Sequence, residues 1–144
     1  PRARVGADAR GTAPRRALGI AVTTARQTLG QYAESVACDF LQRRGLELIA
    51  RNYRRRLGEL DLVLREGGTL VIVEVRTRAR EDYGGAAASV DGWKRRRIVR
   101  AAQQLLQQRR DLAALPARFD VVVVREAAGA EPRVEWIRHA FEAG

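Results

Sequence analysis

Acidic side chains are costly among apolar neighbours, and this chain places two of them there. Glu74 interrupts the run Leu70-Val71-Ile72-Val73-Glu74-Val75, and Asp61 stands between Leu60 and Leu62. A charge so placed must be paired or must bind a cation. The two acids lie about six residues to either side of Glu66-Gly67-Gly68, so a hairpin folded there sets them nearly opposite each other. Two adjoining carboxylates repel unless a hard cation sits between them. Mg²⁺ (or Mn²⁺) suits such a pair, because it takes a few carboxylates, keeps several waters and accepts phosphate oxygens. Arg76, two residues after Glu74, shares its face of a strand. Acids that hold a metal, beside a cation that stabilises a developing phosphorane, suit phosphodiester cleavage. Glu34, on the rim of a helical stripe, is a candidate third acid. The competing reading uses the same residues: with 26 Arg in the chain, the acids would be neutralised in structural ion pairs.

The elements that must position these groups come from periodicity. A helix is expected over residues 31–44, where Ala33, Val36, Ala37, Phe40 and Leu41 form one stripe and Gly45 supplies a left-handed end. Strands are expected over 46–53, 59–64 and 70–76. In the second, Glu59, Asp61 and Val63 share one face and Leu60, Leu62 and Leu64 the other. The third is too apolar for a sheet edge. Residues 77–90, with Tyr83-Gly84-Gly85, read as a loop. A second helix is expected over 92–109, capped by Asp91, with Ile98, Ala101, Ala102, Leu105 and Leu106 buried and Lys94 extending that face to the first turn. Buried strand 119–124 and strand 133–139 complete an α/β fold, in order helix-strand-strand-strand-helix-strand-strand. The intervening helix makes the third and fourth strands parallel, within a mixed sheet flanked by helices.

Composition narrows the partners. Lys and Arg number 27 against 17 acids, a net charge of +10 with a pI near 11.3, and 46% of residues are hydrophobic. The balance describes a folded domain with a polyanionic partner, nucleic acid or an anionic surface. Membrane-surface association lacks an amphipathic helix with Trp or Phe opposite Arg. Lone Cys38 and His139 exclude a disulfide framework, a Cys/His zinc cluster and a Cys–His nucleophile. No apolar run reaches the roughly 18–20 residues of a membrane span, and residues 17–25 make a poor secretory signal with two Thr. A cytoplasmic location is expected. Residues 1–27, with six Arg and one acid, read as a flexible basic arm, and 28–144 as the domain.

Lys94 is the single lysine, which marks either a place that needs a compact ammonium or chance. Trp93 beside it reads as a base-stacking residue or as packing at the helix start. Glu59 suits an ion pair near the turn with the 54–56 arginines, His139 a strand end and Cys38 a small helix position. Arg54, Arg55 and Arg56, with Arg95 and Arg96, flank the acids, and phosphate contacts are expected for at least one of the two clusters; the alternative is a solvated surface.

Several separate blocks resemble one family. Gly58-Glu59-Leu60-Asp61-Leu62-Val63 and Leu70-Val71-Ile72-Val73-Glu74-Val75-Arg76-Thr77-Arg78 closely resemble the YraN family of predicted bacterial endonucleases. The likeness continues through Gly84, Val90, Lys94, Arg97, Ala101-Ala102, Arg118-Phe119-Asp120-Val121-Val122, Ile137, Ala140 and Phe141. Upstream it takes in Gly30, Glu34, Ala37, Gly45 and Asn52, so it covers residues 28–142. It implies a restriction-endonuclease-like fold with a PD-(D/E)xK type site, similar to archaeal Holliday-junction resolvases. Asp61 and Glu74 then match the metal ligands, Glu34 the helical acid and Lys94 a basic position on the second helix. Arg76 stands where the motif usually has Lys. Arg keeps its proton at any usable pH, so a general-base role is excluded there while phosphate contact and charge stabilisation survive.

Taken together, these features point to a metal-dependent DNA endonuclease, with DNA favoured over RNA and with branched or single-stranded DNA as candidate substrates. Resolvase relatives pair on a two-fold junction, which leaves a homodimer open as an assembly that nothing in this chain demonstrates. The alternative is a nucleic-acid-binding protein that keeps the fold without the reaction. Divalent metal at the acid cluster separates the two.

Overall fold

A computed structural model describes residues 25–78, 89–127, 129 and 131–143. The expected arm therefore lies outside the described residues up to residue 24, as does most of the 77–90 loop with Gly84. Two compact units are distinguished, Pro1–Gln31 and Tyr32–Gly144. Of the first, only residues 25–31 are described, as the opening turns of a helix; the second carries the sheet.

Helix α1 spans Ala25–Arg43, beginning earlier than its periodicity indicates, and Gly30 stands inside it. A single glycine costs a helix only about 1 kcal/mol, so it does not mark the boundary. Gly45, at φ +94°, turns the chain out of the helix. Strands β1 (Glu47–Arg55), β2 (Gly58–Glu66) and β3 (Thr69–Arg78) come next as an antiparallel meander. Helix α2 (Gly92–Gln108) crosses over to β4 (Ala117–Arg125), which runs parallel to β3, and β5 (Arg133–Phe141) returns antiparallel. A one-turn helix α3 (Arg110–Ala113), absent from the sequence expectation, buries Leu112 before β4. The sheet order is β1-β2-β3-β4-β5, so apolar β3 is central, and the architecture is the mixed α/β sheet expected of a restriction-endonuclease-like chain. Among the described residues, no helix is long and apolar enough to cross a membrane.

Each face of the sheet has its own core. Leu62, Leu64, Val71, Val73, Val122 and Val124 meet Ala33, Ala37, Cys38 and Leu41 of α1. On the other face Val63, Leu70, Ile72, Phe119, Val121 and Val123 meet Ile98, Ala101, Ala102 and Leu105 of α2. Leu60 corrects the expected alternation: it joins the α2 side and not Leu62 and Leu64. The reason lies across the ladder. The β1–β2 register runs from Arg51 with Leu62 to Tyr53 with Leu60, and Asn52 between them has φ +52°. A left-handed residue rotates the strand beyond it, and the alternation breaks there.

Asp120 is the one fully buried acid of β4. Its carboxylate accepts from Arg118 Nε (2.9 Å) and Nη2 (3.0 Å), from Trp136 Nε1 (2.9 Å) and from the His139 N–H (2.9 Å). These bonds tie β4 to β5 at the register shift between Phe119 and Val121, where His139 adopts φ +53°. This is a structural carboxylate: buried, and neutralised by arginine.

Gly58 fixes α2 against the meander. A Cβ built there would lie 1.9 Å from the Arg97 carbonyl oxygen, which is backbone and cannot swing away. Gly58→Ala is therefore expected to lower stability by about 2–3 kcal/mol in urea unfolding, because the helix must move outward. An unchanged midpoint and slope would contradict the close approach.

Candidate functional site

The candidate site forms where β2 and β3 part. Their ladder ends at Leu62 with Val73, and just beyond it the Val75 N–H donates to Asp61 Oδ2 at 2.8 Å. A carboxylate thus stands in for a strand partner, which fixes the orientation of Asp61. Glu74 points from β3 to the α2 side, buried at 9% exposure, and its carboxyl hydrogen-bonds that of Asp61. The near-opposite placement expected from the hairpin is observed.

Electrostatics reflect that placement. Burial raises the Glu74 pKa, the Asp61 charge raises it further, and Lys94 and Arg76 only partly oppose them, so it is pushed up to about 8. Asp61 is raised too, first by burial, against the Val75 N–H, the hydrogen bond with Glu74 and the charge of Lys94. Near neutral pH, without a cation, the pair therefore shares a proton.

Lys94 reaches the pair from the first turn of α2, with Nζ 3.7 Å from Glu74 Oε2. That turn is fixed by Asp91, whose carboxylate accepts the Lys94 N–H at 2.8 Å as the N-cap. Glu34 approaches from α1. Burial and then the charge of Asp61 raise its pKa, while the Asn52 side chain, Arg51 and Arg54 lower it. Its Oε1 is buried without a hydrogen-bond partner, and so is Arg76 Nε. Buried polar atoms rarely stay unpaired, and among the described residues neither of these finds a partner.

Glu34, Asp61, Glu74, Arg76 and Lys94 thus share one electrostatic neighbourhood. The flanking arginines divide. Arg54 pairs with Glu59 at 3.8 Å, Arg55 donates to Gln108 and covers the Tyr53 ring, and Arg95 donates to the Val90 carbonyl beside Phe141. Arg56 and Arg96 are exposed. His139 is a strand residue and Cys38 a buried helix residue, as expected. Asn52, which touches Glu34, has no role legible in the sequence beyond the family likeness; its signal is a polar residue in left-handed backbone, which sequence alone does not display.

Among the described residues, no three His, Cys, Asp or Glu side chains form a ready metal-binding cluster. Two carboxylates do fit a hard divalent cation that keeps most of its waters. Asp120 differs from this pair in its partners. It has a bidentate arginine, whereas the cation paired with Glu74 among the described residues is a lysine at 3.7 Å, and Arg76 leaves its Nε unused.

A pH dependence results. Because Glu74 binds its proton more tightly folded than unfolded, the stability it contributes is present below the ordinary carboxyl range and is lost as pH rises through about 8. Glu74→Gln keeps a neutral side chain at every pH. In EDTA, the stability of the parent relative to that variant is expected to fall by about 1–3 kcal/mol between about pH 5 and about pH 9. Parallel pH profiles in urea unfolding would contradict the burial of this charge.

The model of the uncharacterised protein family UPF0102 matches residues 33–124, from α1 to the end of the buried part of β4. A UPF0102 protein of Methylococcus capsulatus is 52% identical over 118 residues, 82% of this chain and 94% of its own length. One from Xanthomonas euvesicatoria is 51% identical over 83% of this chain and 95% of its own length. One from Pseudomonas fluorescens is 47% identical over 81% and 94% respectively. With the match spanning most of α1, all of α2 and the acid-bearing strands, the chain belongs to the UPF0102 (YraN) family.

Proposed function

We propose that this protein is a metal-dependent DNA endonuclease that hydrolyses phosphodiester bonds. The observation that carries the reading is the adjoining, largely buried pair of Asp61 and Glu74, which among the described residues has a lysine and no arginine within ion-pair distance, in a chain of 26 Arg. Asp61 and Glu74 would hold Mg²⁺ or Mn²⁺. Such a cation, when bound, acts as a Lewis acid on a phosphate oxygen and makes water more acidic.

The remaining groups have roles that their surroundings support. Lys94 adds positive charge beside Glu74, where a phosphate would gain negative charge in the transition state. Arg76 keeps its proton and offers Nε–H to a phosphate oxygen. Glu34 Oε1, buried without a partner, would accept a hydrogen bond from a water at the rim of the pair. The basic balance of the chain, with exposed Arg56 and Arg96, supplies attraction for the DNA backbone. A second reading, nucleic-acid binding without cleavage, is favoured because among the described residues no three acids are placed to hold a metal ion together.

Labelled linear, single-stranded and four-way-junction DNA, incubated with Mg²⁺, Mn²⁺ or EDTA, separates the two. Cleavage is expected with either metal and not in EDTA. Asp61→Ala and Glu74→Ala should each lower it by at least about 100-fold, and Lys94→Ala by about 10- to 100-fold. Tight binding without cuts under any metal would overturn the nuclease reading in favour of the second.

A further inference from the structure

The two tryptophans of this chain are treated differently. Trp136 donates Nε1–H to Asp120, meets Phe40 edge-on with centroids 6.4 Å apart, and lies under Arg138. Trp93 is 63% exposed, the most open large apolar side chain among the described residues. Helix-start packing therefore does not account for it. An exposed aromatic taken alone is ordinary, so its surroundings must decide.

Three observations meet at Trp93. Its chain neighbour is Lys94, which is paired with Glu74, so one turn of α2 carries both the indole and the cation that meets the acid pair. Arg97, one helical turn on, holds its guanidinium over one face of the ring, 5.1 Å from the centroid, which adds positive charge there and leaves the opposite face for a base. The β1–β2 turn is pressed onto the same part of α2 by the Gly58–Arg97 approach, and it brings exposed Leu57 beside exposed Arg56. An open aromatic face among cationic groups is the combination by which proteins hold single strands: charges track the backbone and the ring takes a base.

Resting on the nuclease reading, we propose that Trp93 is a stacking platform for an unpaired base of the DNA strand whose phosphate reaches Asp61 and Glu74. In an intact duplex each base is covered by its neighbours, and the indole finds no free face. The substrate class is accordingly DNA with unpaired nucleotides next to the cleaved bond: a single strand, a frayed end or a splayed branch. Lys94 points inward to the acids while Trp93, the adjacent helix position, faces out. One turn of α2 thereby contacts a phosphate and a neighbouring base together.

The test measures binding of the full chain in EDTA, so cleavage plays no part. The probes are fluorescent oligothymidine, a blunt duplex and heparin, a polyanion without bases. Trp93→Ala should weaken oligothymidine binding by about 10-fold or more. Trp93→Phe should recover most of it, and duplex and heparin binding should change by less than about twofold. Oligothymidine binding unaffected by Trp93→Ala, or an equal loss on all three probes, would overturn the platform. Should the parent cleave DNA while that variant binds single strands normally, the platform alone falls; should the parent bind none of the probes, the nuclease reading falls with it.

Discussion

Repulsion between two neighbouring carboxylates, in a place with little water to screen it, governs much of this protein. Asp61 and Glu74 are brought together by a hairpin whose register is pinned by the Gly67 turn and by apolar side chains on both faces. Slipping that register by one residue would send Val71 and Val73 to the wrong core, so the sheet holds the acids together against their own repulsion. The proton they share relieves it near neutral pH. A divalent cation would relieve it more fully, and the sheet is arranged to leave that choice open.

The rest of the fold serves this junction from three directions. Asp61 replaces a backbone partner at Val75, so β2 and β3 part at the point where the acids need room. The Asp91 cap and the Gly58–Arg97 approach fix the first turns of α2, and with them Lys94. Helix α1 packs on the opposite face yet carries Glu34 on its flank, next to Asn52. Asp120 supplies the contrast that gives the pair its meaning. There the protein saturates a buried acid with arginine, indole and backbone donors, whereas among the described residues Asp61 takes one backbone donor and Glu74 meets a lysine.

Much of this was legible in the sequence, and for identifiable reasons. Alternation with a glycine turn at its centre implies a register, so the meeting of Asp61 and Glu74 could be read from spacing alone. Helical periodicity placed Lys94 on the inward side of α2 and Glu34 at the edge of α1's stripe. What escaped depends on backbone geometry or on partners distant in the chain. Leu60 changes sides because Asn52 is left-handed, which alternation cannot anticipate. The partners Trp136 and His139 lie 16 and 19 residues from Asp120, beyond the reach of any local pattern. The exposure of Trp93 likewise depends on what α2 packs against, not on its own sequence.

Everything proposed for this protein turns on whether Asp61 and Glu74 take a divalent cation between them. Diffraction from crystals soaked in Mn²⁺, with anomalous scattering measured on the parent and on Asp61→Asn, answers that. The prediction is one anomalous peak in contact with both carboxylates, with Lys94 displaced from Glu74, and no such peak in the variant. Mn²⁺ found only elsewhere on the protein, with the acids still hydrogen-bonded to each other, would contradict it.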